Sequence, residues 1–223
     1  LEILERAGCE VDYDDWRVRY PPGLVEEALR RCPSSFQVKT RDPSKSIVLG
    51  GNALHVLPFP GHHTIDLDTF DPRLPTRKEF YDGVKVLDAL DSVHGLWSYT
   101  PYFGFKDVPP SMCLLESISE GAVYGGTAPA SIAGALVSAC ANLIAPIVLL
   151  QVYRPGTRVF LHDFTFPQNM TTGAPNFGNI AIGLHAAAFN QVFQRYGIPI
   201  GNGAAVPASK RMDFQAGYER AIN

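Results

Sequence analysis

Basic runs, paired cysteines, a cationic leader and a nucleotide-binding glycine signature are all missing from this 223-residue chain. Its 19 Lys and Arg are balanced by 22 Asp and Glu, for a formal net charge of -3. With no surface suited to tracking phosphates, nucleic acid is not an expected partner. Cys9, Cys32, Cys113 and Cys140 show no CxxC spacing, and a disulfide framework needs a short, Cys-dense, secreted chain. Reduced thiols in the cytoplasm are therefore expected. Leu1 opens LEILERAG, an amphipathic helix bearing Glu2, Glu5 and Arg6, where a secretion signal would carry a cationic leader and an apolar core. Starting inside a helix and without Met, the sequence places its expected natural N-terminus upstream.

Other absences are local. Gly50-Gly51, Gly125-Gly126 and the pair Gly201 and Gly203 match neither GxGxxG before a helix nor GxxxxGK[ST], so they are read as turns at strand ends. From Gly121 to Tyr153 no residue is charged, long enough to raise a membrane span of about 20 apolar residues. Pro129, Ser131, Ser138, Asn142, Pro146 and Gln151 interrupt that run. It is read instead as a buried helix of small residues ending at Pro146, and no membrane is expected. His62-His63 with Asp66 and Asp68 lacks a tight ligand motif. Alternation puts His62, Thr64, Asp66 and Asp68 on one side of a solvated strand, so no metal is expected there.

What is present is an ordinary globular composition, 46% hydrophobic and 18% charged. Pro21-Pro22 opens a helix with Leu24, Val25, Ala28 and Leu29 on one face, and Pro33 stops it. SIVLGG and ALHVLPF read as strands of a hairpin turning at Gly50-Gly51-Asn52. HTIDLDT reads as a half-buried strand. Residues 1–75 thus form a small α+β lead-in, and 76–223 a second region. In T-R-K-E, Thr76 and Glu79 make a capping box opening a helix through Asp91. HGLWSYTPYFGF reads as a buried strand. Beyond Gly121, the strands AVYGG, RVFLHD and GIPIGN alternate with the helices SIAGALVSACANLI and NIAIGLHAAAFNQVFQRY, which predicts a parallel sheet covered by helices.

Ordered phrases along nearly the whole chain resemble the trimethylamine methyltransferase family. They are GCEVDYDDWRVRYPPGLVEEALRRCPSSFQVKTRDPSKSIVLGG, DLDTFDPRLPTRKEFYDGVKVLDAL, FGFKDVPP, GGTAPASIAGALVSACAN, YRPGTRVFLHDF, NMTTGAPNFGNIAIGLHAAAFNQVFQRYGIPI and MDFQAGYERAI. The resemblance implies an α/β fold of TIM (β/α)8 type. Relative to the family pattern, strand–helix units are absent between Pro110 and Glu120, and the chain stops at Asn223 inside a helix. A full barrel takes about 250 residues, so a partial one is expected here.

The resemblance also implies transfer of a methyl group from a methylated amine to the Co(I) of a corrinoid (cobalamin) carried by a partner protein, with no cofactor bound tightly by this chain. Assembly with further copies of the chain is expected as well, the small-residue helix from Ser131 to Ile144 suiting tight contact within one barrel or between subunits. Sites in TIM barrels lie at the C-terminal strand ends, which points to Tyr102, Tyr124, His162, Asp163, Phe164, Phe166 and Asn202 as substrate-binding residues. Tyr102, Tyr124, Phe164 and Phe166 suit an aromatic cage for an ammonium, with Asp163 as countercharge; the same aromatics would equally pack the barrel top or a subunit contact. His162 and Asp163 are adjacent on a strand, so at most one faces the lumen. Trimethylamine enzymes of the family use pyrrolysine. This chain has only standard residues, and Lys210, the nearest lysine, is read as a surface residue. A betaine-like quaternary amine is thus preferred to trimethylamine as substrate. No catalytic residue is assigned. The competing expectation is a non-catalytic barrel fragment that serves as a binding or oligomerisation module, and a third is a TIM-barrel enzyme of different chemistry, since a fold does not fix a reaction.

Overall fold

A computed structural model describes residues 1–39, 43–58, 64–73, 76–95, 123–124, 128–163, 165–202, 207–209 and 213–222. The chain divides into two compact units, Leu1–Gly51 with Gly121–Asn223, and Asn52–Glu120. The first fifty residues therefore belong with the last hundred, a different division from a boundary at 75/76.

In the first unit, α1 (Glu2–Arg6) precedes the antiparallel pair β1 (Glu10–Asp12) and β2 (Arg17–Arg19). Helix α2 (Pro22–Arg31) starts on a proline whose fixed φ suits a first turn and ends with Arg30 and Arg31 near its carbonyls. Strand β3 (Ser35–Val38) then pairs antiparallel with β4 (Ile47–Gly50). The expected hairpin from β4 to ALHVLPF is not formed. Gly50 and Gly51, both at positive φ, do turn the chain, but β4 takes its partner from upstream and residues 53–58 carry no strand.

The second unit contains β5 (Thr64–Ile65), paired antiparallel with β6 (Pro72–Arg73), and α3 (Arg77–Asp88). HTIDLDT yields only a two-residue strand, because Asp66 Oδ1 accepts bonds from the Asp68 and Thr69 amides and turns the chain. The predicted capping box is present: Glu79 N donates to Thr76 Oγ1 (3.2 Å), and Thr76 N donates to Glu79 Oε2 (2.8 Å). The helix closes at Asp88, three residues short of the expected end.

The first unit resumes with β7 (Val123–Tyr124) and α4 (Ile132–Tyr153), followed by β8 (Leu161–Asp163) and β9 (Phe166–Pro167). Helix α5 (Ile180–Gln194), β10 (Ile200–Asn202) and α6 (Phe214–Ile222) complete it. Strands β7 and β9 pair in parallel, as do β8 and β10. The architecture is mixed α/β, and the sheets among the described residues are two-stranded, with no closed barrel.

Helix α4 runs straight through Pro146, where the sequence suggested an end. Pro146 is exposed, and the turns beyond it are held by burial of Ile147, Val148 and Gln151. Gln151 satisfies its amide through Thr157 O (2.8 Å) and the Gly156 amide (2.8 Å). By length and composition alone α4 is able to cross a membrane. Here it packs against α1, α2 and α5, with Ala135 and Val148 fully withdrawn from solvent.

One apolar core joins Leu29 of α2 and Cys32 just beyond it, Ile147 of α4, Leu161 of β8, and Phe189 and Phe193 of α5. The lead-in meets this layer at the N-terminal ends of the parallel strands. Arg158 Nη1 donates to Gln37 O (3.4 Å), while Gly197 lies against Ser34 and Gly50 against Pro199. The opposite, C-terminal strand ends are where the candidate residues fall.

Candidate functional site

Side chains alternate along a strand, so neighbouring residues face opposite sides. Leu161 packs among Phe189 and Phe193, which fixes the helix-facing side of β8. Asp163 shares that side. Its Oδ2 lies 2.8 Å from His185 Nδ1 on α5, and its Oδ1 accepts a 2.5 Å bond from Thr165 Oγ1. Asp163 is 8% exposed and His185 is fully buried. His162 lies between Leu161 and Asp163 on the strand, so alternation turns it to the side away from α5.

Burial pushes the His162 imidazole below its ordinary value, against a smaller upward pull from Asp163. At neutral pH the ring is thus uncharged and does not repel a cation. Burial, with Asp163 adding its charge, raises the Cys140 thiol of α4 to about 11, which removes it as a nucleophile.

Asn202 is the register partner of Asp163, and it too is tied to α5: its Nδ2 donates to Asn190 Oδ1 at 2.8 Å. The ends of two adjacent strands are therefore fastened to one helix through polar side chains. Phe166, in β9, is 3% exposed and meets Phe177 edge-on, with ring centroids 4.7 Å apart. The structure places Tyr124 at the end of β7, in register with Pro167. The structure thus brings His162, Asp163 and Asn202 to the paired ends of β8 and β10, with Phe166 in the next strand segment. Tyr102, Phe164, His62, His63, Lys210, the glycines at 125, 126 and 203, and the passage from Pro110 to Glu120 lie outside the described residues. Among the described residues no group of three or more His, Cys, Asp or Glu is arranged to hold a metal ion.

Thr165, His185 and Asn190 were not singled out from the sequence. A signal for His185 existed: Ile182, His185, Phe189 and Phe193 form the buried stripe of α5, and a polar residue on such a stripe needs a buried partner. Nothing local pointed to Thr165.

Comparison with known proteins gives this geometry a family. The profile of the family described as trimethylamine methyltransferase (MTTB) matches residues 1–100 and 115–223. A glycine betaine methyltransferase of Desulfitobacterium hafniense (strain Y51) is 26% identical over 296 aligned positions, covering 98% of this chain and 61% of that protein. A trimethylamine methyltransferase MttB of Desulfitobacterium hafniense (strain DSM 10664 / DCB-2) is 31% identical over 119 residues, which is 52% of this chain and 23% of that protein. Its namesake from Methanosarcina thermophila is 34% identical over 101 residues, 45% of this chain and 21% of the relative. This chain spans about three-fifths of the length of the first of these relatives. That alignment occupies 296 positions against a chain of 223, so the relative holds residues inside the aligned region that this chain lacks. By the extent of the profile match, the chain belongs to the trimethylamine methyltransferase family.

Proposed function

We propose that this protein transfers a methyl group from a quaternary or tertiary methylated amine, betaine-like or trimethylamine, to the Co(I) of a corrinoid carried by a partner protein. The frame we propose is part of a TIM-type barrel, to which β7–α4–β8/β9–α5–β10 contributes consecutive strand–helix units. The observation that carries the reading is the conjunction of family membership with two parallel strand pairs whose candidate residues sit at their C-terminal ends.

In the transfer, the C–N bond breaks, the methyl passes to cobalt, and the amine keeps the bonding electron pair. From a quaternary ammonium the leaving amine is neutral and needs no acid, whereas a tertiary amine must carry a proton on nitrogen for its leaving amine to be neutral. What the protein then supplies is orientation and exclusion of water. An uncharged His162 on the sheet face away from α5 suits a cationic ligand. Asp163, engaged by His185 and Thr165, is not presented as an open countercharge. The free thiols of Cys9, Cys32 and Cys140 support a cytoplasmic setting, and the uncharged helix α4 supports assembly with further copies of the chain.

The test is methylation of a Co(I) corrinoid protein, followed by its visible spectrum, with glycine betaine, carnitine and trimethylamine as donors. Absence of methyl-cobalt with all three would sink the reading. The shorter interior of this chain favours one alternative, a non-catalytic barrel fragment that binds or oligomerises; that alternative predicts amine binding or self-association without any transfer.

A further inference from the structure

We infer that Asp163, tied to Thr165 and His185, is a positioning residue of the amine site and not a ligand of the amine. It holds the β8–β9 run so that His162 is presented on the face away from α5. The inference rests on the proposed methylated-amine chemistry.

Four observations lead there. Both carboxylate oxygens of Asp163 are engaged inside the protein, one by Thr165 Oγ1 and one by His185 Nδ1, and the side chains of the pair are almost wholly buried. The group stands where the strand changes neighbour: Leu161–Asp163 pairs with β10, and Phe166–Pro167 pairs with β7. At the same level on β10, Asn202 is tied to Asn190, so α5 grips both strand ends. Finally, the side chains of Val159, Leu161, Phe189 and Ile198 pack as an apolar cluster nearer the strand N-termini. The apolar pattern already sets which face of β8 is buried, and the Asp163–His185 contact marks the same register at the strand's C-terminal end. A one-residue slip of β8 would turn His162 towards α5 and Asp163 towards the opposite face.

Thr165→Val separates the possible roles, because it removes the hydroxyl that holds Asp163 yet leaves the carboxylate charge in place. Affinity for glycine betaine is measured by calorimetry, well below the unfolding temperature, for the wild type, Asp163→Asn, Thr165→Val and Thr165→Ser. The His162 imidazole resonance is followed by NMR in the same proteins. A positioning role predicts that Thr165→Val and Asp163→Asn weaken binding alike, by about tenfold or more. It also predicts a displaced His162 resonance in Thr165→Val and recovery of both readouts in Thr165→Ser. Loss of affinity in Asp163→Asn alone would make Asp163 a direct ligand and overturn the inference. So would unchanged affinity and an unmoved His162 resonance in Thr165→Val, whatever its thermal stability. A wild type that binds none of glycine betaine, carnitine and trimethylamine would remove the functional reading, and this inference with it.

Discussion

Tyr196, just beyond α5, donates its hydroxyl to Glu26 Oε2 of α2 at 2.8 Å, joining residues 170 positions apart. That bond, reinforced by Arg30, holds the Glu26 carboxyl below its ordinary value of 4.5 and raises the Tyr196 phenol. A carboxyl depressed in the folded state stabilises it at pH above the unfolded value, and that contribution fades as pH falls through the folded value. Tyr196→Phe is therefore expected to flatten the acid limb of the Tm–pH curve below about pH 4.5. An unchanged acid limb would show that the carboxyl does not feel the phenol.

Removing Asp163 takes away the carboxylate that lies against His185 Nδ1 and accepts from Thr165 Oγ1. Asp163→Ala is expected to lower stability by about 1–3 kcal/mol, the usual cost of leaving a buried polar group unsatisfied. Urea denaturation provides the measurement, with the midpoint falling and the slope unchanged. A loss below about 1 kcal/mol, the level of an exposed pair, would contradict the burial described.

Pro146 sits inside α4 without ending it, forfeiting one backbone hydrogen bond. On an exposed position, Pro146→Ala should stabilise the protein by roughly 1–3 kcal/mol, since proline is the poorest residue for a helix interior. A destabilised variant would mean that the helix does not continue to Tyr153.

The capping box makes a separate claim about the second unit. Thr76→Ala should cost about 1 kcal/mol, and Thr76→Ser should recover most of it. Because α3 belongs to Asn52–Glu120, the loss is expected in hydrogen exchange of the amides in its first turn.

Cys140 provides a chemical readout of the same interior. With its thiol raised to about 11, it should resist alkylation by iodoacetamide at neutral pH in the folded protein and react once urea unfolds the chain. Rapid labelling of native Cys140, identified by peptide mapping, would contradict its burial on α4 under the influence of the Asp163 carboxylate.

Features governed by nearby residues were legible in the sequence. Pro21-Pro22 marked α2, Thr76 and Glu79 marked α3, and the apolar segments around Leu161 and Ile200 marked two of the parallel strands. Features depending on distant partners were not. Gly50-Gly51 correctly signalled a turn, but the signal said nothing about which edge of β4 would be occupied, and β3 occupies it. Pro146 carried a strong local preference that the burial of Ile147, Val148 and Gln151 overrode. The site divided along the same line. That His162, Asp163 and Asn202 stand at strand ends was legible from the apolar runs they close. Which way Asp163 faces depends on His185, a residue 22 positions away on a helix, and no local pattern encodes that pairing.

The packing of α2 on α4 and α5 has a consequence for synthesis. The inner side of α2, with Leu29 and Cys32, finds its cover only when Gln151, Ile147 and Phe193 have been made; the Gln151–Cys32 contact alone spans 119 residues. During translation this early helix leaves the ribosome with its apolar side bare and stays so until more than half of the remaining chain follows. Contacts of such separation slow folding and lengthen the interval in which an exposed surface attracts wrong partners. A nascent chain paused before α4 should therefore be a strong client for chaperones, and one paused after Tyr196 a weak one.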